Sequence, residues 1–336
     1  MSHYDLYAIG NALVDSEYEV TEQLLTALGV QKRHMTLIDA ERRAHLLAGV
    51  HGLHSRRTGG GSAGNSIVAL AQLGGRAFYS CRVANDELGA FYHQDLQANG
   101  VASNLSHAPF PAGQTGSCMV MVTPDAERSM STFLGATADI DHTALHPKDI
   151  ARSKVYYMEG YLSASCTGLD AALQGRAIAK AAGVKLATTL SDMSMINFCR
   201  PGLEAMVGSD LDYLFCNEEE TQVWCDNTDL AAIVLQVSRL AKVVCLTRGA
   251  KGCLLPEAGK TTEVPATKVQ AIDTNGAGDM FAGAFLYAVT HGYPHVRAAE
   301  LANRAAAQVV SQYGNRLTAQ QLRSIRREFE ESAALV

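Results

Sequence analysis

The chain of 336 residues is 47% hydrophobic and 18% charged, enough to bury one large core or one core with a small appendage. Its formal net charge of -6 argues against a nucleic-acid partner, because there is no basic excess to neutralise phosphates. The eight cysteines form no C-x-x-C pair, which is typical of reduced thiols in a cytoplasmic protein. The N-terminus lacks a signal-peptide pattern, and no apolar run reaches the roughly 20 residues that span a membrane.

The N-terminal segment predicts a first strand at residues 5–10. Asp15 follows and would lie just past the strand end, where α/β proteins place ligand groups, although it also fits an ordinary turn. The next elements are an extended piece at residues 17–20 and a helix at 22–28, capped by Thr21. A strand at 34–38 and a helix at 40–48, capped by Asp39, follow.

Residues 49–61 are polar, basic and glycine-rich, which predicts a mobile loop, and residues 62–75 predict a helix. The glycines at 59, 61 and 64 match the dinucleotide pattern G-x-G-x-x-G. That motif requires a buried strand directly before it, and none is predicted here, which argues against a nicotinamide oxidoreductase. Gly60 and Gly61, followed by Asn65, can instead present backbone amides and a side-chain amide to a hydroxylated ligand.

A strand at residues 76–83 and a helix at 86–99 follow. Residues 115–123 and 128–134 then form a predicted β-hairpin. The hairpin does not fit a strand–helix–strand alternation. We therefore expect a small β appendage, formed by segments within about 15–60 and 112–136, that covers a ligand on the main sheet.

The C-terminal half alternates regularly between strands and helices, which indicates a parallel sheet covered on both faces. Its predicted strands lie at residues 155–159, 184–190, 211–216 and 243–247. A helix is predicted between the first two of them, at residues 167–182. A hairpin at 253–264 and helices at 298–312 and 318–330 complete the chain.

Several polar or glycine-rich groups follow these strands and would meet at one edge of the sheet. Asn217 and Glu220 are three residues apart at a helix start, so both can face a phosphate and hold Mg²⁺ through water. The alternative is that these acids only complement the helix dipole. Gly249 and Gly252 would let the backbone approach a nucleotide, or else form a tight turn.

Residues 273–279, DTNGAGD, predict a glycine-rich turn that runs into a buried helix. Gly276 and Gly278 allow close approach of a ligand, and the free amides of the first helical turn form an anion site. Asp279 lies beside that site, where it can accept a proton from an attacking hydroxyl, as phosphoryl transfer requires. The alternative is a structural helix N-terminus with an acid that the dipole favours.

Four motifs in this order resemble those of the ribokinase (PfkB-type) family of carbohydrate and nucleoside kinases. They are GGSAGNSIVALAQLGG, NEEE, TRGAKG and DTNGAGD, at residues 60–75, 217–220, 247–252 and 273–279. The resemblance implies a single ribokinase-like domain over residues 1–336, a three-layer α/β/α sandwich with a mostly parallel sheet and a small β lid. It also implies ATP-dependent phosphorylation of a primary hydroxyl.

The resemblance also assigns roles to individual residues. Asp279 would be the catalytic base, and the anion hole would consist of Gly276, Ala277 and Gly278. Substrate hydroxyls would contact Asn11, Asp15, Gly60, Gly61 and Asn65. ATP would contact Asn217, Thr247, Gly249, Gly252 and Asn303, the last near the adenine, while Asn217 and Glu220 would hold Mg²⁺ through water. Many family members use a monovalent cation such as K⁺, of which Asp273 would be a ligand here.

The sugar-specific motif D-x-N-x-R is absent after the central strand, and the segment around Phe198 is similar to adenosine kinases. A purine needs apolar or aromatic walls, which Phe133, Leu134 and Phe198 would supply. We therefore expect a nucleoside substrate, adenosine first. Guanosine, inosine or a sugar (ribose, fructose or 2-keto-3-deoxygluconate) remains open, as do a non-catalytic nucleoside-binding protein and a monomer or homodimer. Neither a nucleic-acid nor a membrane partner is expected.

Overall fold

The computed structural model describes residues 3–125 and 127–333. Within them the strands are β1 (Tyr4–Ile9), β2 (Leu13–Glu19), β3 (Met35–Leu37), β4 (Ser55–Gly60), β5 (Ala77–Ser80), β6 (Val101–Ser103), β7 (Gly116–Val122), β8 (Arg128–Phe133), β9 (Ser153–Met158), β10 (Lys185–Thr189), β11 (Leu211–Asn217), β12 (Ala241–Thr247), β13 (Cys253–Glu257) and β14 (Lys260–Val264). The helices are α1 (Glu22–Ala27), α2 (Ala40–Gly49), α3 (Ser62–Gln72), α4 (Glu87–Ala98), α5 (Pro147–Ile150), α6 (Cys166–Ala181), α7 (Met193–Val207), α8 (Glu218–Cys225), α9 (Leu230–Val237), α10 (Ala277–Thr290), α11 (His295–Val310) and α12 (Ala319–Ala333).

The larger sheet has nine strands in the order β14-β13-β12-β11-β10-β9-β1-β5-β6. Neighbouring strands pair in parallel along the run β12-β11-β10-β9-β1-β5-β6. The hairpin β13–β14 adds two antiparallel strands at the edge next to β12. The predicted alternation and hairpin are both confirmed. The carboxyl ends of the parallel strands therefore share one edge, as the sequence indicated.

Helices cover both faces of this sheet, because successive strand residues point to opposite sides. On β1, Leu6 and Ala8 pack into a core with α3, α10 and α11, whereas Tyr7 and Ile9 pack into a second core with α6, α7 and α9. The result is the three-layer α/β/α arrangement that the motifs implied. Among the described residues, no helix combines the length and apolar character needed to cross a membrane.

A second, smaller sheet has five strands in the order β3-β8-β7-β2-β4. Helices α1 and α2 pack on one of its faces through a separate apolar cluster that includes Tyr18, Leu25, Leu46 and Met119. The caps predicted at Thr21 and Asp39 are confirmed, since both side chains accept from backbone amides of the first turn.

Two predictions about this sheet are wrong. Residues 55–60 form strand β4, not part of a mobile loop. Strand β2 begins at Leu13, so Asp15 lies within a strand, neither just past the end of the first strand nor in a turn. The sequence Ser-Arg-Arg-Thr-Gly-Gly has no apolar alternation, because β4 is an edge strand held by its antiparallel pairing with β2. The register places Asp15 opposite Thr58.

Helix α7 was not predicted either. It begins at the cap Asp192 and contains Pro201, with a non-helical residue, Cys199, two positions earlier. A proline inside a helix removes a hydrogen bond and disfavours helical dihedrals before it, which hides the periodic signal. The short edge strand β6 was also missed.

Candidate active site

Asp279 lies on the first turn of α10, directly after the glycine-rich turn. Gly276 is the N-cap with φ +76°, and a Cβ there would come within 2.6 Å of the Asn315 carbonyl oxygen. A Cβ on Gly278 would meet open space, so this residue borders the ligand side of the turn. The Ala277 amide donates to the Thr274 carbonyl at 3.3 Å and is thus partly engaged within the turn.

Two side chains of α3 hold the Asp279 carboxylate. Ser62 Oγ donates to Oδ1 at 2.6 Å, and Asn65 Nδ2 donates to Oδ2 at 2.9 Å. Burial raises the pKa of Asp279, while these two bonds and the nearby Arg316 charge lower it. The geometry therefore gives an oriented carboxylate that is more basic than an exposed aspartate.

A second buried carboxylate, that of Asp15, reaches the same region from the small sheet. Its Oδ2 accepts from Asn315 Nδ2 at 2.8 Å, and burial raises its pKa to about 6. Gly60 lies against it, since a Cβ there would come within 2.6 Å of either carboxylate oxygen. Gly61 has φ +84° and no room for a Cβ, which would lie 2.1 Å from the Asn11 carbonyl oxygen.

A row of side chains crosses the small sheet on the face that carries Asp15. The strand registers align Thr58, Asp15, Cys118, Thr132 and Leu37 on β4, β2, β7, β8 and β3. Thr132 Oγ1 donates to Cys118 Sγ at 3.4 Å, which confirms that these two share a face. The row changes from polar at Asp15 to apolar at Leu37, whose side chain is 58% exposed.

The predicted purine walls are only partly placed along this row. Phe133 follows Thr132 and so points to the opposite face, where the Arg43 guanidinium lies 5.4 Å from its ring centroid. Phe133 also lines the larger cavity described next, so its part in a purine wall stays a prediction. Phe198 is 84% exposed on α7 and does not line either cavity described next.

Two cavities flank the row. The larger, of about 520 Å³, is lined by Leu37, Thr132, Phe133 and Leu134 together with residues 111–114, 135, 136, 138 and 139. The smaller, of about 380 Å³, is polar and includes Asp15, Thr58, Arg128 and residues 312–319. Asp15 thus lines the smaller cavity, whereas Thr132 and Leu37 of the same row line the larger one.

Glu159, which the sequence analysis did not select, connects two of the predicted substrate segments. It follows β9 and is 1% exposed. Its carboxylate accepts from Asn11 Nδ2 at 2.8 Å, from Asn11 N at 3.3 Å and from Ala63 N at 2.8 Å. Burial raises the pKa of Glu159 to about 7, against the effect of these bonds. Its position after a buried strand was the available sequence signal.

Asn217 and Glu220 bond to each other at the start of α8. Glu220 accepts from Asn217 N at 3.0 Å and from Nδ2 at 2.7 Å, and Asn217 Oδ1 accepts from Glu220 N at 2.7 Å. This is a capping box, so the structural alternative is present. Burial, with Asp192, Glu219 and Asp279 nearby, raises the pKa of Glu220 to about 7.

These oxygens also fit a role in Mg²⁺ binding. Carboxylate and amide oxygens are the ligands that Mg²⁺ prefers, usually one or two from the protein beside substrate phosphates. Among the described residues, no three acidic, histidine or cysteine side chains form a metal site by themselves. Glu220 would therefore hold the ion together with nucleotide phosphates and water.

The predicted nucleotide-binding segment follows β12. Gly249 (φ +54°) leaves open space around it, whereas Gly252 (φ +88°) packs against the Val264 carbonyl and cannot accept a side chain. Thr247 Oγ1 donates to the Cys216 carbonyl at 3.3 Å. Asn303 is buried, and its Nδ2 donates to the carbonyls of Val264 and Pro265 at 3.2 and 3.0 Å. Its amide donor therefore holds the backbone after β14.

Asp273, the predicted ligand of a monovalent cation, is engaged by two backbone amides and an arginine. Its carboxylate accepts from Asn275 N at 3.1 Å and from Gly314 N at 2.9 Å. The Arg128 guanidinium of the small sheet lies 3.3 Å away and also donates to Glu17 at 2.8 Å. An arginine thus already supplies the positive charge that a bound cation would bring.

A helix start with free amides, an oriented acid beside it and a second buried acid nearby are groups that a phosphotransferase acting on an alcohol group requires. The chain belongs to the pfkB family of carbohydrate kinases, whose model matches residues 34–322. Kinases of this family use ATP.

Solved structures and a curated relative agree with this assignment. A probable sugar kinase from Rhizobium etli CFN 42 is 32% identical, with each chain covered fully and a TM-score of 0.87. The adenosine kinase from Sinorhizobium meliloti is 33% identical over 97% of this chain and 99% of that one, with a TM-score of 0.83. An adenosine kinase from Schizophyllum commune is 28% identical over 87% of this chain and 90% of its own length.

Proposed function

We propose that this enzyme transfers the γ-phosphoryl group of ATP to the primary 5′-hydroxyl of a nucleoside, adenosine first. The observation that carries the nucleoside assignment is the row from Asp15 to Leu37. Three inter-strand spacings of about 4.8 Å separate β2 from β3, about 14 Å in all, which accommodates a ribose and an attached base. The ribose hydroxyls would meet Asp15, and the base would lie over Thr132 and Leu37.

The reaction follows from the groups around Asp279. The 5′-hydroxyl gives its proton to this carboxylate as its oxygen bonds to the γ-phosphorus, and the bond from that phosphorus to the β–γ bridging oxygen breaks to release ADP. Ser62 and Asn65 keep the carboxylate oriented, and amides of the α10 N-terminus stabilise charge on the transferred group. Bound Mg²⁺, held by Glu220 with the phosphates, would neutralise phosphate charge. The small sheet would act as the lid that excludes water.

A sugar kinase is the second candidate, and the polar half of the row favours it. Thr58, Asp15 and Asn315 offer hydroxyl, carboxylate and amide groups that suit a sugar without a base. The Rhizobium etli relative points the same way. The two candidates differ only in whether Thr132 and Leu37 contact the substrate.

A substrate panel separates these candidates. Phosphorylation by MgATP would be measured for adenosine, guanosine, inosine, ribose, fructose and 2-keto-3-deoxygluconate. Adenosine should give the highest kcat/KM, and Leu37→Asp should lower it for nucleosides while leaving sugar turnover unchanged. A sugar preferred over every nucleoside would replace the nucleoside assignment with the second candidate.

The role of Asp279 is tested separately. Asp279→Asn keeps the side-chain size but removes the proton acceptor, so kcat should fall on the order of 10²-fold or more with the fold retained. Asp170→Asn, an exposed acid on α6, is the matched control. Turnover of Asp279→Asn close to that of the control would exclude Asp279 as the base.

A further inference from the structure

The loop between α11 and α12 brings three adjacent residues to three parts of the site. Gly314 N donates to Asp273, Asn315 Nδ2 donates to Asp15, and Arg316 Nε donates to Asn65 Oδ1 at 2.8 Å. The family motifs discussed above include none of these three residues. Arg316 is the one whose contact leads to the reacting groups.

The Asn65 side chain has one acceptor end and one donor end, and its orientation decides what Asp279 receives. A guanidinium has only donors, so the oxygen of Asn65 must face Arg316. The amide nitrogen is thereby turned toward Asp279 Oδ2, at 2.9 Å. A flipped amide would place its NH₂ against the guanidinium and its oxygen against the carboxylate, and would lose both bonds.

Arg316 is itself held rigidly. Its Nη1 donates to Asp95 Oδ2 at 2.6 Å, and its side chain is only 10% exposed. Gly59 closes over this pair, because a Cβ there would lie 2.3 Å from Asp95 Oδ2 and 2.9 Å from Arg316 Nη1. This close approach gives Gly59, the first glycine of the apparent dinucleotide motif, a role in packing.

We propose that Arg316 is a positioning residue of the phosphoryl transfer, which holds the Asn65 amide so that it donates to Asp279 while this carboxylate takes the hydroxyl proton. The proposal rests on the kinase function proposed above. Arg316 does not touch the substrate in this role. Its effect reaches the reacting atoms through one amide and through its positive charge.

The charge of Arg316 gives the proposal a readout that simple packing lacks. The ionisable groups that interact electrostatically with Asp279 come from the small sheet, β9 and its following turn, α8 and the α11–α12 loop: Asp15, Tyr157, Glu159, Tyr161, Glu220 and Arg316. Of these, the Arg316 guanidinium lowers the pKa of Asp279. Its removal should move the acid limb of the kcat profile to higher pH.

The experiment compares Arg316→Gln and Arg316→Lys with Arg176→Gln, a matched loss of a half-buried arginine that pairs with Asp210 on the far side of the sheet. We expect Arg316→Gln to lower kcat at least about tenfold, with the KM for ATP unchanged and the acid limb raised. Lysine should return the limb toward the wild-type position while kcat recovers only in part, because it restores the charge but not the planar donor geometry. Arg176→Gln should match the wild type.

Asp95→Asn provides a second variant if Arg316→Gln does not fold, since it releases the guanidinium and keeps its charge. It should lower kcat in the same direction without moving the acid limb. Wild-type kcat and limb in Arg316→Gln, with Asp279→Asn inactive, would overturn the role of Arg316 and leave the kinase function standing. A wild-type enzyme inactive on the whole substrate panel would instead overturn the kinase function, and this proposal with it.

Discussion

The buried carboxyl of Glu159 provides a quantitative test of the site, through the substitution Glu159→Gln. The wild-type side chain accepts three hydrogen bonds, from two donors of Asn11 and from the Ala63 amide. Glutamine keeps the shape but turns one acceptor into a donor, which then faces another donor. That mismatch should cost about 1–3 kcal/mol of folding stability at any pH.

The pH dependence adds a second, opposite effect. Burial raises the pKa of Glu159 from its ordinary 4.5 to about 7, so the folded state binds this proton more tightly than the unfolded chain does. The ionised carboxylate therefore destabilises the fold, with no penalty below the unfolded pKa and the full penalty above about pH 7. Between pH 5.5 and 8.5 the wild type should lose about 2 kcal/mol through this group, and the glutamine variant nothing.

Urea unfolding of both proteins at these two pH values measures the difference directly. The stability gap between wild type and Glu159→Gln should shrink by about 2 kcal/mol as the pH rises. Glu87→Gln, at an exposed ion pair of α4, should show a gap that does not change with pH. A Glu159→Gln gap that is equal at both pH values would refute the reasoning.

Two further predictions concern neighbouring features. Gly61→Ala should destabilise the protein by at least about 2 kcal/mol more than Gly52→Ala in urea unfolding: both have φ +84°, but only at Gly61 does a Cβ meet a backbone oxygen, whereas Gly52 faces open space. Equal losses would show that backbone strain alone matters. Because Arg128 already neutralises Asp273, kcat in K⁺ should equal kcat in tetramethylammonium, and activation by K⁺ of about tenfold or more would contradict this.

Local patterns were sufficient for most of the fold. Buried strands with periodic helices between them predicted the parallel sheet, and cap residues such as Thr21 and Asp39 placed helix starts within a residue or two. Strand β4 was not predicted, because its sequence does not alternate between polar and apolar residues. The strand is held in place by its pairing with β2. Helix α7 was not predicted, because Pro201 interrupts the periodic pattern of apolar residues that indicates a helix.

The site residues also include some that local patterns predict and some that they do not. The turn around Gly276 and the position of Asp279 follow from a local motif, and the structure places the predicted Asn65 against that acid. Arg316 lies 251 residues from Asn65 along the chain, and no local sequence pattern predicts a contact between residues so far apart. The place of Phe133 between Arg43 and the larger cavity was not predictable either, since aromatic character alone does not say which face of a strand a side chain occupies.

The loop from Gly314 to Arg316 has a consequence for how the enzyme is made. Asn315 bonds to Asp15 across 300 residues of chain, so the contact forms only after residue 315 has left the ribosome. Long-range contacts of this kind slow folding, because a large loop must be closed before they form. A nascent chain that already contains the four motifs, but not yet residues 314–316, would therefore hold an Asp279 carboxylate that Asn65 does not yet orient.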